Sequence, residues 1–189
     1  DMIYHLKLPT TLSADASFVS YMESLIDAAI ASAEGITKRT MRESRFRGYL
    51  TEFQTGRTAY EIRKSPLQAV ESITYLASGV VTTIAASQYQ VALNPDFSRV
   101  HPVVDADWPS TIDDVLHAST WTFTAGYKAG EIPASLLYAM KQHVAYLYVQ
   151  RGDCDTGTDG VNGCIGCPLP PAVKAVYQSH RIFDMRIGL

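Results

Sequence analysis

Cysteine is scarce in this chain: three occur among 189 residues, and Cys154, Cys164 and Cys167 all lie in one short segment. An odd number in a single cluster is not typical of a secreted disulfide framework. The sequence also contains no run of about 18 apolar residues, which predicts no transmembrane helix and no membrane partner. Its N-terminal residues, DMIYHLKLP, lack the basic start and apolar core of a signal peptide. We therefore expect synthesis in a reducing cytoplasm.

The short motifs of the common enzyme classes are missing as well. There is no G-x-S-x-G elbow, no P-loop, no G-x-G-x-x-G fingerprint and no H-E-x-x-H pair. The five histidines are scattered: His5, His101, His117, His143 and His180. We expect His143, on a predicted helix, to face the surface or a partner. The acidic pairs Asp105/Asp107 and Asp113/Asp114 are best interpreted as exposed loop charges. The sequence thus predicts no catalytic residue, no cofactor and no enzymatic activity.

The cysteine segment, GDCDTGTDGVNGCIGCP, is the sharpest candidate for a metal site. Two thiolates spaced as Cys164 and Cys167 can share a tetrahedral zinc ion, but a structural site takes four ligands. With Cys154 the segment supplies three, so a nearby aspartate or a distant histidine would have to complete the set. Thioredoxin-like redox chemistry needs a strand-to-helix context that this segment lacks. A surface loop with free thiols is the simplest interpretation, and a metal-binding module is the alternative.

The clearest periodicity lies in residues 132–151, IPASLLYAMKQHVAYLYVQR, and predicts a helix. Pro133 suits the first turn and Gly152 suits the C-terminal stop. Apolar residues recur there at three- and four-residue steps, which places them on one face: Leu136, Leu137, Met140, Val144, Leu147 and Tyr148. A helix with such a stripe needs other elements to cover it. We predict that Met140 is buried and that Met140→Asp abolishes folding.

Two further helices are predicted. The earlier one has Ser13 or Asp15 as its N-cap and is expected to end near residues 39–41. Gly35 either weakens or ends this helix or is tolerated within it. Its apolar face contains Phe18, Met22, Leu25, Ile26, Ala29, Ile30 and Ala33. The last helix opens at Pro170 and Pro171, and its face carries Val173, Val176 and Tyr177.

Between the two long helices the apolar period changes from helical to alternating. Short strands are predicted at residues 46–53, 58–62, 70–76, 80–84, 89–93, 99–104 and 121–127. Pro102 argues for an edge or a bulge in its strand. Residues 121–127, WTFTAGY, form the clearest strand because they are rich in aromatic and β-branched residues. Short strands without intervening helices favour a small antiparallel sandwich or barrel.

The predicted fold class is therefore α+β. Two long helices plus a C-terminal helix form an antiparallel helical base, because pairing the long helices is the simplest way to bury both apolar faces. A small antiparallel β-sandwich or barrel is inserted into this base. We predict a helical base with a C-terminal tail at residues 1–43 and 129–189, and a β-rich insert at residues 44–128.

Charge is uneven along the chain, although the net charge is only −3. The basic segment, residues 38–64, carries Lys38, Arg39, Arg42, Arg45, Arg47, Arg57, Arg63 and Lys64 against Glu43, Glu52 and Glu61. The acidic segment, residues 96–114, carries Asp96, Asp105, Asp107, Asp113 and Asp114 against Arg99. Opposite charges on one molecule suit head-to-tail self-association in a ring. A non-specific DNA-binding domain built on the basic segment is the alternative.

Taken in order, several segments resemble the head–tail connector, or adaptor, proteins of long-tailed double-stranded-DNA bacteriophages. They are YHLKL, LIDAAIASAEGITKR, SPLQAVESITYL, SQYQVAL, RVHP, DWP, FTAGY, IPASLLYAMKQHVAYLYVQR and PPAVKAVYQSHRI. The ordered set spans most of the sequence. The segment at residues 152–168, with its cysteines, departs from the family pattern.

The resemblance implies a structural virion protein without a chemical step. Such proteins form a ring, commonly of twelve subunits, beneath the portal protein. They join the portal to a stopper or tail-completion protein and keep the DNA channel continuous. The implied location is the head–tail junction of the virion, after synthesis in the bacterial host cytoplasm. Weak, non-specific contact with DNA in the channel fits the same role.

By analogy with the family, the C-terminal tail binds the portal. The implied portal-binding residues are Arg181, Ile182, Phe183, Met185, Arg186 and Ile187. No local pattern forces this apolar tail to fold, so it suits a segment that becomes ordered on binding, and a disordered tail is the alternative. We expect truncation after His180 to leave folding intact and to remove portal attachment.

Overall fold

The computed structural model describes residues 2–7, 9–54, 56–109, 115–150 and 169–183. The chain divides into two compact units. A helical unit contains Asp1–Lys38 and Ile132–Leu189, and a β unit contains Arg39–Glu131. The prediction of an α+β chain with antiparallel sheets is confirmed. The β unit is thus inserted between the two sequence segments of the helical unit.

The described helices of the helical unit are α1 (Met2–His5), α2 (Ala16–Thr37), α3 (Ala134–Val149) and α4 (Pro171–Ser179), with a 3-10 turn at Thr10–Ala14. Asp15 caps α2, because its carboxylate accepts hydrogen bonds from the backbone N–H groups of Ser17 at 2.9 Å and Phe18 at 3.3 Å. Gly35 lies within the helix. Lys38 then adopts the left-handed conformation, with φ of 61°, which ends α2 before the predicted residues 39–41.

The buried face of α3 is rotated from the predicted one. Met140 and Val144 are buried as expected, but Leu137 is 40% exposed. His143, which was predicted to face the surface or a partner, is only 3% exposed, so that prediction is wrong. The reason is that α3 packs against both α2 and α4, which requires a wider buried stripe than one partner would. The buried residues of α3 are Leu136, Ala139, Met140, His143 and Val144.

The β unit contains seven described strands: β1 (Ser44–Leu50), β2 (Tyr60–Ile62), β3 (Leu67–Ala77), β4 (Val80–Ile84), β5 (Tyr89–Ala92), β6 (Ser98–Pro102) and β7 (Ser119–Ala125). They form a four-stranded sheet in the order β1-β7-β3-β4 and a three-stranded sheet in the order β2-β6-β5. Every pairing is antiparallel. A 3-10 turn at Ala86–Gln88 precedes β5.

Both sheets contribute to one hydrophobic core. Ile73, Trp121 and Phe123 come from the four-stranded sheet, while Ile62 and Val100 come from the three-stranded sheet. Aromatic rings fill much of the space between them, since Phe53 stacks on Trp108 at 5.3 Å between ring centroids. The described strands do not close into a barrel, because β1 and β4 lie at opposite edges of their sheet.

Gly126 follows the central strand β7 and has φ of +110°. A Cβ atom at this position would lie 2.2 Å from the carbonyl oxygen of Arg42, so no other side chain fits. The Gly126 N–H donates to the carbonyl of Pro66 at 2.8 Å. The FTAGY segment therefore contains a glycine that the close approach of two backbone segments requires.

Candidate interaction surfaces

The chain after α4 is fixed to the end of α2. The backbone N–H of Ile182 donates to the carbonyl oxygen of Thr37 at 3.0 Å, and the Ile182 side chain is buried. His180 ends α4, and its Nε2 lies 2.9 Å from the hydroxyl of Ser135. The bond from Ile182 satisfies the carbonyl of Thr37, a group that the end of α2 otherwise leaves without a partner inside the helix. The start of the predicted tail is thus part of the folded helical unit.

The structure separates the residues predicted to bind a portal into three groups. Arg181 and Phe183 are exposed, and the Arg181 guanidinium carbon lies 5.7 Å from the centre of the Phe183 ring. Ile182 points into the helical unit. Met185, Arg186 and Ile187 lie outside the described residues. Arginine and aromatic residues such as phenylalanine are both enriched at protein interfaces.

A buried polar pair joins α3 to α4. The hydroxyl of Tyr177 lies 3.4 Å from Nδ1 of His143, and both side chains are buried. Burial lowers the pKa of His143 from its usual value, because the charged imidazolium loses its hydration. Burial likewise raises the pKa of Tyr177 to about 12. Since neither group reaches solvent, the pair serves packing rather than proton transfer to a substrate.

The β unit has an apolar cleft of 280 Å³ between two edge strands. β1 forms one wall and β2 the other, and each lies at the edge of its sheet. Trp121 and Phe123 contribute to the lining, and Gly48 leaves part of the β1 wall without a side chain. Glu61 and Arg63 also line the cleft, but most of its surface is apolar, so it suits an apolar group from a partner.

Several cations of the basic segment have partners within the chain. Arg39 pairs with Asp96 of the acidic segment at 2.6 Å, and Arg45 pairs with Glu71 at 2.7 Å. Lys64 lies 4.9 Å from the centre of the Phe46 ring. The two ion pairs reduce the positive field that DNA would meet. The structure therefore gives no specific support to a DNA-binding domain at this segment.

The candidate zinc ligands Cys154, Cys164 and Cys167 lie outside the described residues, as do Asp113 and Asp114. Within the described part of the chain, no group of three or more His, Cys, Asp or Glu side chains could hold a metal ion. Among the same residues, no helix is long and apolar enough to cross a membrane.

The chain is similar in fold to components of phage-like particles. A chain in the neck of an empty gene transfer agent particle, computed with C6 symmetry, matches 99% of this chain and 90% of its own length, with a TM-score of 0.74 and 24% identity. A chain in the virion of the native gene transfer agent particle matches 89% of this chain and 80% of its own, with a TM-score of 0.68 and 22% identity.

A third structure, the neck of the native particle computed with C12 symmetry, gives a TM-score of 0.66 at 23% identity, covering 89% of this chain and 85% of its own. No family model and no curated protein matches the sequence. The shared property is therefore the fold, which agrees with the connector resemblance carried by the ordered segments.

Proposed function

We propose that this protein is a structural adaptor at the head–tail junction of a phage-like particle. The observation that carries the proposal is the fold likeness, over 99% of the chain, to a component of a gene transfer agent neck. The ordered sequence segments support the same role independently of the structure. The adaptor would hold position between other virion proteins and catalyse no reaction.

The adaptor would act as a closed ring of twelve subunits. The related necks were computed with sixfold and twelvefold symmetry, which supports a cyclic arrangement here. In a cyclic ring every subunit uses one surface toward the next copy and a different surface toward the preceding copy. The ring would lie between the portal and a stopper or tail-completion protein, with the DNA channel through its centre and only weak, non-specific contact with DNA.

The portal-facing surface would be the exposed pair Arg181 and Phe183 together with the residues that follow, Met185, Arg186 and Ile187. Ile182 would have a different role, because it anchors this segment to α2. An aromatic ring and a guanidinium that become buried in a partner can supply much of the binding free energy of a small contact.

Electron cryomicroscopy of particles from cells that express an affinity-tagged copy of the protein tests the proposal. We expect a ring of this chain between the capsid vertex and the tail, and we expect the portal protein to co-purify with the tagged copy. A tagged protein that is absent from purified particles would contradict the proposed role. Tagged capsid protein serves as a control for recovery of intact particles.

A further inference from the structure

The strand β4 has an open outer edge. Among the described strands it pairs only with β3, and its Val80 and Val81 side chains are 62% and 69% exposed. Ser78 and Gly79 join the two strands with φ of 52° and 75°, which is the pattern of a type I′ hairpin turn. The two residues that flank such a turn form hydrogen bonds with each other. The next residue along β4, Val81, therefore directs its N–H and C=O away from β3.

This edge lacks the features that keep exposed strands from pairing. Natural edge strands are commonly protected by a lysine, a proline or a bulge. Residues 72–95, which include β4 and β5, contain no Asp, Glu, Lys or Arg. The pairing of β4 with β3 is regular from Ala77 opposite Val80 to Ile73 opposite Ile84. A regular, uncharged edge with exposed valines is suited to receiving another strand.

The opposite edge of the same sheet offers a complementary surface. β1 pairs only with β7 among the described strands, and its outer side borders the apolar cleft. Phe46, Gly48 and Leu50 are the less exposed residues of β1 and lie on one face. A Cβ atom at Gly48 would come within 3.5 Å of the Phe123 ring, so the absent side chain leaves room for an apolar group from outside.

We propose that β4 of one copy pairs with β1 of the next copy, so that one β-sheet runs continuously from subunit to subunit. The sheet has four strands that alternate in direction, so β1 of a neighbour in the same orientation runs antiparallel to β4. Val80 lies on the same face of β4 as the buried Ile84. In the continuous sheet, this face of β4 and the face of the neighbour's β1 that carries Gly48 lie on the same side. Val80 can then fill the cleft beside Gly48.

The partner strand comes from a second copy of this chain, because one rotation, repeated around a ring, pairs the β4 edge and the β1 edge of every copy. Pairing of β4 with β4 would make a two-fold dimer and leave the cleft beside β1 empty. The strand β4 has five residues, whereas a stable interface uses about 20–30 residues on each side. The contact alone is therefore too small for a stable free dimer, and it forms where copies are already aligned on a ring. The inference rests on the proposed ring.

Cysteine cross-linking within purified particles tests this pairing. All variants carry Ser in place of Cys154, Cys164 and Cys167. Val81 and Arg47 lie on the outward faces of β4 and β1, and residues opposite each other in an antiparallel pair have Cα atoms about 4.5–5.5 Å apart, within disulfide range. A shift of the register by two residues places Thr83 opposite Arg47 instead.

Particles carrying Arg47→Cys with Val81→Cys, or Arg47→Cys with Thr83→Cys, are oxidised and run on non-reducing gels.

We expect one of the two pairs to give a ladder of cross-linked species that ends at the full ring. Arg47→Cys with Thr82→Cys is the matched control, because these residues face opposite sides of the sheet and should give no ladder. A ring visible in the particles without a ladder from either pair overturns the strand pairing and leaves the adaptor role standing. A dimer formed by Val81→Cys alone shows β4–β4 pairing and also overturns it. Particles that contain no ring of this chain refute both proposals.

Discussion

At the scale of single residues, two glycines show how differently the same residue type is used. Gly126 has φ of +110°, and a Cβ would overlap the Arg42 carbonyl. Gly35 lies inside α2, and a Cβ there would meet no atom within 4 Å. The sequence pattern left the role of Gly35 open, and sequence alone does not show that Gly126 is required. The difference between the two positions depends on backbone segments that are distant in sequence.

Substitution of these two glycines by alanine should therefore have opposite effects. Gly126→Ala should destabilise the β unit by more than about 3 kcal/mol, because backbone strain alone costs about 1–3 kcal/mol and the overlap with Arg42 adds to it. Gly35→Ala should stabilise the helical unit by about 0.5–1 kcal/mol, since alanine is the better helix former. Urea denaturation measures both. Equal stability of the Gly126→Ala variant and the parent protein would contradict the close approach at Arg42.

The buried His143 should make the helical unit sensitive to acid. Its folded-state pKa is lowered from the usual value of 6.5, so the unfolded chain takes up a proton at a higher pH than the folded one. Its contribution to stability is complete above about pH 6.5 and is lost as the pH falls toward the lowered pKa, at about 1.4 kcal/mol for each unit of pKa difference. Urea denaturation of the parent protein at about pH 7.5 and about pH 5.5 measures this loss.

His143→Asn is the control for this titration. The asparagine amide can place a hydrogen-bonding group near the position of Nδ1, beside the Tyr177 hydroxyl, but it does not titrate. We expect its unfolding free energy to depend less on pH between these two values than that of the parent protein. The same pH dependence in both proteins would show that other groups are responsible.

At the scale of elements, the sequence predicted the existence of helices and strands better than their faces. The periodicity of residues 132–151 located α3 and the burial of Met140. It failed for Leu137 and His143 because hydrophobicity does not reveal that a second helix, α4, covers the histidine side of α3. Strand bounds shifted by a few residues for a similar reason. Partners in a sheet, which are distant in sequence, decide where pairing stops.

Aspartate substitutions at neighbouring positions of α3 test the direction of its buried face. Met140→Asp should cost at least about 4 kcal/mol and prevent stable folding, because Met140 is 8% exposed and a carboxylate there would lose its hydration. Leu137→Asp should cost about 1 kcal/mol or less, since Leu137 is 40% exposed. Thermal denaturation followed by circular dichroism compares the two variants. A folded Met140→Asp protein would show that the face is assigned wrongly.

At the scale of the whole molecule, the order of helices and strands could be predicted from sequence, whereas the interaction surfaces could not. The division into a helical unit and a β unit corresponds to the change of apolar period on either side of residues 39–131. The open edge of β4 had a visible signal, the absence of charge in residues 72–95. That signal becomes meaningful only when the sheet order places β4 at an edge.

Deletion of residues 184–189 should separate folding from portal attachment. Ile182 is buried and bonded to Thr37, so truncation after His180, the deletion suggested by the sequence, would remove part of the folded unit. Truncation after Phe183 spares it. We expect the shorter deletion to leave the melting temperature unchanged and to reduce portal co-purification at least tenfold. Phe183→Ala should have a partial effect.

Val104→Ala is the matched control for Phe183→Ala, because Val104 is an exposed apolar residue of the β unit, 71% exposed. We expect it to leave portal co-purification at the parent level. Full portal co-purification after truncation at Phe183 would show that the tail is not the attachment segment.

The bond between Ile182 and Thr37 also has a mechanical meaning. Thr37 is the last residue of α2, and the covalent connection to the β unit follows directly at Lys38 and Arg39. A load applied to the tail therefore reaches two helices at once, α4 through the chain itself and the last turn of α2 through this hydrogen bond. If docking pulls on Phe183, the buried Ile182 holds the segment in place against that tension.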